Sequence, residues 1–406
     1  IGQRARRALS GGPVSLIAMR FLHTSDWHLG RRLLSVDLLA HQDDFLQWLL
    51  GLAQDVEAQA VVVSGDVYDR AVPSAEAVTA LDRAVAAFAA SNVPLLMISG
   101  NHDSPVRLRY GSALFAHAGV HVRADVGGID VPVIIRDDAG EVGFYGIPYL
   151  EPDAVREELG TGRSHEEVLQ AAVDRIRADA SARGLDRTVV AAHAFITGGE
   201  ITDSERDISV GGVGDAPAGV FDGVSYVALG HLHRPQTVRL PNSSTMLAYS
   251  GSPLGFSFSE RDHTKSVALV ELDAGGAAHV ERIPTPVPRP LRQVQGRLGE
   301  LIARADSDLA DLTDAWVKVV LTDPDRPESP MERLRQVWPH TIALDFAPEV
   351  ELVSSDDDME VLKHVTDPVE ITARFVEYVT GSAPDTPTEE LVRDVVEELS
   401  RRGREL

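Results

Sequence analysis

Tyr226-Val227-Ala228-Leu229-Gly230-His231-Leu232-His233 decides how this chain reads. An apolar, strand-like run ends on a glycine. Two histidines follow at i and i+2, a spacing that projects both side chains to one side of an extended backbone. Two imidazoles beside a buried strand need a shared partner, and a metal ion accepts both. Asp26-Trp27-His28 repeats the spacing after the apolar start of Met19–Thr24. Gly65-Asp66, Gly100-Asn101-His102-Asp103 and His193 also put a metal-ligand residue type at the end of an apolar run.

Each segment has an ordinary reading when it stands alone. Asp-x-His pairs are mostly caps or surface pairs, Gly-Asp is usually a turn, Gly-Asn-His-Asp suits an Asx-turn, and a single buried histidine is usually a satisfied core residue. The joint occurrence argues for a site. In an open α/β sheet, residues at strand ends gather at the carboxyl edge, where ligands bind. Histidine, aspartate and asparagine without cysteine favour a hard-to-borderline divalent ion, manganese above calcium, and exclude thiolate-type zinc. The ligands are too many for one ion and suit two ions sharing a carboxylate. Such a pair binds a phosphate oxygen and activates a water for attack at phosphorus. Asp26, His28, Asp66, Asn101, His193, His231 and His233 are the expected metal ligands. His102 is the expected catalytic residue, placed to protonate the leaving oxygen or stabilise its charge. The remaining histidines, such as His23 and His121, have no such setting and read as structural or exposed.

The chain has 406 residues, 44% of them hydrophobic and 25% charged, which is enough for one large domain and smaller ones beside it. It has no cysteine, so disulfides and thiolate nucleophiles are excluded. A cytoplasmic location is expected. The net charge of −24 argues against strong non-specific nucleic-acid binding by the chain alone, so bound metals, local arginines or a partner would have to supply positive field. Arg31, Arg32, Arg70, Arg107, Arg109 and Arg234 flank the motifs and are possible backbone-phosphate contacts. The absence of a Gly-x-x-x-x-Gly-Lys-Ser/Thr segment means that this chain carries no P-loop ATP site.

Residues 1–18 read as a disordered extension rather than an export signal. Residues 20–150 alternate apolar runs (20–25, 60–64, 93–98) with helical patterns, a β-α-β-α-β series that predicts a parallel sheet. A helix is expected at 164–182. The strands then return at Thr188–Ala192, Val224–Leu229, Met246–Ser250 and Ser266–Leu272, with fewer helices between them. They are expected to form a second, mixed sheet, giving an α/β sandwich. A proline-rich linker at 284–290 separates the domain 19–283 from a small α+β module at 291–350. Ser354–Glu360 is an acidic break. Residues 362–406 read as two capped helices, with N-caps at Asp367 and Thr386 and capping-box glutamates at Glu370 and Glu389. Leu391, Val392, Val395, Val396 and Leu399 form an apolar stripe on the second helix.

In order and spacing these segments resemble those of the calcineurin-like metallophosphoesterases. Met19–Leu33, Ser64–Asp69, Ser99–Ser104, Asp203–Gly212, Tyr226–Gln236 and Ser250–Glu260 are further similar to the SbcD family, the nuclease subunits of bacterial SbcC–SbcD complexes. The resemblance implies a four-layer α-β-β-α sandwich, a capping domain at 291–350 and a C-terminal helical pair that grips the coiled-coil base of an SbcC-type ATPase. It implies a homodimer and a manganese-dependent DNA nuclease acting 3′→5′ at ends and endonucleolytically at hairpins and single strands, with magnesium a possible substitute. One ion would take Asp26, His28, Asp66 and His233. The other would take Asp66, Asn101, His193 and His231, with Asp66 bridging. Asp69 stands where some distant relatives carry a histidine and is given no role. The alternative reading is a generic phosphodiesterase or phosphatase acting on small molecules or phosphoproteins.

Overall fold

A computed structural model describes residues 17–200, 202–205, 215–348, 367–380 and 383–402. Residues 1–16 of the expected extension, the acidic break, residues 206–212 and both ends of 362–406 lie outside the described residues. The chain divides into two compact units. One runs to Arg292 and includes Asp314–Trp316; the other comprises Gln293–Thr313 and the residues from Val317 onward.

The first unit is built on two six-stranded sheets. The first sheet starts from β1 (Ile17–Thr24), which begins two residues inside the expected extension because Ile17 pairs with Asp273. Helix α1 (Leu39–Asp55) leads to β2 (Val61–Ser64), and α2 (Ala75–Ser91) leads to β3 (Leu95–Ile98), followed by β4 (Val120–Arg123). These four strands are mutually parallel in the order of the chain, with Leu22 opposite Val61, Val61 opposite Leu95 and Leu95 opposite Val120. Such pairing requires a crossover between strands, and the helical patterns supply it. Ser74 starts α2 by accepting a hydrogen bond from the Ala77 N–H (3.2 Å), and Asn92 ends it in the left-handed region.

The second sheet contains β5 (Val133–Asp137), β6 (Gly140–Ile147), β7 (Thr188–His193), β8 (Tyr226–Gly230), β9 (Gln236–Val238) and β10 (Met246–Tyr249). Its order is β9-β10-β8-β7-β6-β5. The four central strands run parallel and the two edge strands antiparallel. Helix α3 (His165–Arg183) crosses from β6 to β7. It opens with a reciprocal capping box between Ser164 and Glu167 and closes on the left-handed Gly184.

One expectation fails here. Ser266–Leu272 does not join the second sheet. As β11 (Ser266–Asp273) it pairs antiparallel with β1 in the first, followed by β12 (Ala278–Pro284). Its residues are apolar on both faces. Val267 and Leu269 pack with the α1 and α2 side of the sheet, while Ala268, Val270 and Leu272 pack with the opposite sheet. A strand of this kind needs cover on both faces, and a place beside β1 provides it.

The layers are α-β-β-α. Phe45, Leu49, Leu81 and Phe88 of α1 and α2 cover the outer face of the first sheet. Val168, Leu169, Val173 and Ile176 of α3 cover the outer face of the second. Between the sheets Phe21, Val62, Ile98, Phe144, Val189 and Tyr226 form a third apolar layer. There the Phe21 ring meets those of Phe144 and Tyr226 edge-on, with centroids 5.2 and 5.6 Å away.

The second unit contains most of a three-stranded sheet, β13 (Leu291–Gly296), β14 (Trp316–Leu321) and β15 (Thr341–Phe346), with α4 (Leu298–Ala303) and α5 (Pro330–Val337). Helices α6 (Pro368–Thr380) and α7 (Thr386–Arg402) pack against each other. Asp367 caps α6 by accepting from the Val369 N–H (3.0 Å), while Glu370 pairs with Arg374 one turn on. Asp385, rather than Thr386, caps α7. It accepts from the Thr388 N–H (3.0 Å), and Thr386 is already the first helical residue. Among the described residues no helix is long and apolar enough to cross a membrane.

Truncation of the layer between the sheets tests this architecture. Phe144→Ala should lower unfolding free energy by about 3–5 kcal/mol in a denaturant titration. A loss below about 1 kcal/mol would place Phe144 outside a packed core.

Candidate metal centre

All the parallel strands that carry the motifs end at one edge. Asp26 and His28 follow β1, Asp66 follows β2, Asn101 and His102 follow β3, His193 ends β7, and His231 and His233 follow β8. The loops leaving the first sheet are fastened to each other: Asp26 N donates to Gly65 O (3.0 Å) and His28 N to Asp66 O (2.9 Å). Asp103 adds a buried clamp. Its carboxylate accepts from the backbone N–H of Val67, Tyr68 and Gly100 at 3.0, 2.9 and 2.9 Å, joining the β2 and β3 loops. The two sheets meet at Ser64, whose hydroxyl donates to Ala228 O (2.7 Å) and whose carbonyl accepts from His193 Nδ1 (2.8 Å).

Close approach explains two glycines. A Cβ on Gly230 would collide with the Ser64 carbonyl, and one on Gly65, at φ +87°, would collide with the His193 ring. Asp26, His28, Asp66 and His231 also have positive φ, at 53, 44, 48 and 105°. That backbone is costly for residues with side chains and accumulates where side chains must be aimed.

The expected ligands converge. His28 Nε2 lies 3.1 Å from His233 Nε2 and 3.5 Å from Asp66 Oδ2. His193 Nε2 lies 2.9 Å from Asn101 Oδ1 and 3.6 Å from Asp66 Oδ2. His231 Nδ1 lies 3.2 Å from Asn101 Oδ1. Ligand atoms of Asp26, His28 and His233 lie within 4.8 Å of one another, as do those of Asp26, Asp66 and His193. Asp26 is common to both groups, and Asp66 Oδ2 lies between a histidine of each, His28 and His193. His102 comes to the same edge, its N–H donating to Asp66 Oδ1 (2.8 Å) and its Nδ1 to Asp69 O (2.8 Å).

The electrostatics fit a cation. Burial, then the charge of Asp66, holds the Asp26 carboxyl well above the usual carboxylate range. Burial, then the neighbouring histidines His233 and His193 respectively, holds His28 and His231 well below the usual imidazole range, and burial also lowers His193. Neutral imidazoles are the form that ligates a metal. The His28 Nδ1 is buried without a hydrogen-bond partner, 3.6 Å from Asp69 Oδ1. The donors are nitrogen and oxygen only, the set suited to hard and borderline divalent ions.

Comparison with known proteins agrees with this geometry. Residues 19–235 match the family model for calcineurin-like phosphoesterases, which is more than half of the chain. The chain belongs to the calcineurin-like phosphoesterase family. Residues 287–380 match the SbcD C-terminal domain model, described as the type 5 capsule protein repressor C-terminal domain, and the two matches together support the resemblance to SbcD. Solved structures similar to this phosphoesterase include YfkN from Bacillus subtilis, a calcineurin-like phosphoesterase. It is 12% identical with a TM-score of 0.35, over 66% of this chain and 89% of that one. A dimetal phosphatase from Danio rerio is 13% identical with a TM-score of 0.41, over 66% of this chain and 99% of that one.

Residues without an assigned role also reach the centre. Asp69 groups with His28 and His102. Ser204, Glu205 and Glu260 surround His233. Asp103 is the fourth residue of Gly100-Asn101-His102-Asp103, so its place beside the site follows from the motif. Glu260, followed by Arg261, Asp262 and His263, carries a surface signature and gives no sequence signal of burial. Among the flanking arginines, Arg31 lies 3.5 Å from Asp69 and over the Phe256 ring. Arg70 lies 3.5 Å from Asp69, while Arg32, Arg109 and Arg234 pair with Asp37, Asp125 and Glu200.

The raised Asp26 carboxyl sets the sign of a pH effect. A divalent ion must displace its proton, so affinity rises with pH and binding releases protons. Calorimetric titration of manganese at about pH 6 should therefore give heats that depend on buffer ionisation enthalpy. Equal heats in MES and bis-Tris would contradict the assignment.

Proposed function

We propose that the chain is the manganese-dependent nuclease subunit of a DNA repair and recombination complex, working with an SbcC-type ATPase. The observation that carries this reading is the convergence of Asp26, His28, Asp66, Asn101, His193, His231 and His233 around His102, on a chain whose C-terminal part matches the SbcD model. Asp26, His28, Asp66 and His233 would hold one ion and Asp66, Asn101, His193 and His231 the other. Bound there, the ions would polarise a phosphodiester and supply a metal-activated water.

The chain's own residues prepare the rest. His102 Nδ1–H is committed to the Asp69 carbonyl, which can only accept, so Nε2 is the nitrogen left to exchange a proton with the leaving oxygen, as a donor when His102 is in its imidazolium form. The bond from His102 N to Asp66 ties that imidazole to the shared ligand, so general acid and ligand move together. Arg31 and the exposed Arg70 provide positive charge beside the site for a DNA backbone.

Two exposed apolar surfaces support the assembly. Ile371 and Phe375 on α6 and Leu391 and Val395 on α7 face solvent in this chain, at 39, 61, 63 and 49% exposure, and suit a coiled-coil partner. Val106, Tyr110 and Leu114, in the segment after the His102 motif, are exposed at 70, 83 and 76% and suit a second copy of this chain. The net charge of −24 assigns DNA retention to the metals, local arginines and the partner.

With manganese, the wild-type protein should degrade duplex ends or single-stranded DNA. His102→Ala should retain manganese by calorimetry yet cut about 10²–10⁴-fold more slowly. Equal cutting by His102→Ala would remove its catalytic assignment. Turnover of a chromogenic diester without activity on DNA would favour a generic phosphodiesterase.

A further inference from the structure

His233 is buried, and its Nε2 points at His28 Nε2. The residues behind it decide which of its nitrogens carries the proton. Its Nδ1 lies 2.6 Å from Ser204 Oγ, and the same hydroxyl lies 2.5 Å from Glu260 Oε1. Glu260 and Lys265 form an ion pair with both residues buried, at 2 and 4% exposure. Lys265 Nζ also donates to His233 O (3.0 Å) and Ser252 Oγ (2.9 Å).

The order of donation follows from counting protons. A carboxylate offers none, so Ser204 donates its single hydroxyl proton to Glu260. The hydroxyl must then accept from His233 Nδ1–H, which leaves the lone pair on Nε2. Thr202 Oγ1 also lies 2.9 Å from Ser204 Oγ, but its proton goes to Glu205 Oε2 at 2.6 Å. The comparison within the site is informative. His193 and His102 are oriented by the backbone carbonyls of Ser64 and Asp69, which most substitutions at those positions would leave in place. His233 is oriented by side chains, and substitution can erase them.

We infer that Glu260, acting through Ser204 and held in place by Lys265, is the positioning residue that fixes His233 as its Nδ1–H tautomer and aims Nε2 into the centre. This rests on the metal-centre reading proposed above. Two further bonds tie the 202–205 segment to the same place: Glu205 Oε1 accepts from His233 N (2.6 Å), and Ser204 O accepts from Arg31 (2.8 Å). Partners behind a metal-binding imidazole set its tautomer and raise its basicity, and losing them costs about 10- to 100-fold in metal affinity.

Nitrogen NMR of ¹⁵N-histidine-labelled, metal-free full-length chain tests the tautomer directly, and manganese calorimetry tests its consequence. Wild-type His233 should be protonated at Nδ1. Ser204→Ala and Glu260→Gln should disturb that state and weaken one of two manganese sites by about 10- to 100-fold, while the other stays within about twofold. Ser204→Thr should restore both properties. An Nε2–H tautomer in the wild type, equal weakening of both sites, or a lowered melting temperature with unchanged affinity would overturn the inference. A wild type that binds no manganese, yet shows an Nδ1–H tautomer lost in Ser204→Ala, would instead sink the metal-centre reading and leave the relay standing.

Discussion

Two carboxylates, Asp26 and Asp66, lie together at 0 and 2% exposure, and the rest of the site is organised around that burden. Burying like charges away from water is costly unless hydrogen bonds and a counter-charge compensate. Hydrogen bonds supply part of the compensation. His231 N donates to both oxygens of Asp26 at 3.1 and 3.2 Å, Ser25 Oγ donates to Asp26 at 2.5 Å, and His102 N donates to Asp66. Burial holds the imidazoles of His28 and His231 well below their usual range and lowers His193, which disfavours positive charge on these three. A divalent cation is the compensation that this donor set is built to take.

That demand explains features that would otherwise be defects. Residues proposed as ligands sit at positive φ, because the short turns after β1, β2 and β8 must bend their side chains back over the sheet edge. Glycines stand where the sheets touch, since a Cβ at Gly230 would push the Ser64 carbonyl away and with it the bond that orients His193. The apolar layer containing Phe21, Phe144 and Tyr226 holds the two strand edges in register, so contacts far from the site set distances within it.

Much of this was legible in the sequence because the proposed ligands stand in contiguous motifs at the ends of apolar runs. The β-α-β-α-β series, the expected ligands and their common edge could be read from periodicity and spacing. What could not be read depends on contacts distant in sequence. β11 was expected in the second sheet because it follows strands of that sheet, whereas its partner β1 lies more than two hundred residues earlier. The β5–β6 hairpin was not anticipated, although Asp137-Asp138-Ala139-Gly140 is a turn sequence. Glu260 looks like a surface residue until folding brings it to Lys265, Ser204 and His233. The N-cap at Asp385 rather than Thr386 is a one-residue shift of the kind common at helix ends.

The central claim is that Asp66 is shared by two ions. Metal counting on purified full-length protein, after manganese loading and removal of excess, tests it most directly. The wild type should retain two ions per chain. Asp66→Asn should lose both, because the shared carboxylate contributes to each site. One ion per wild-type chain, or two ions surviving in Asp66→Asn, would contradict the account.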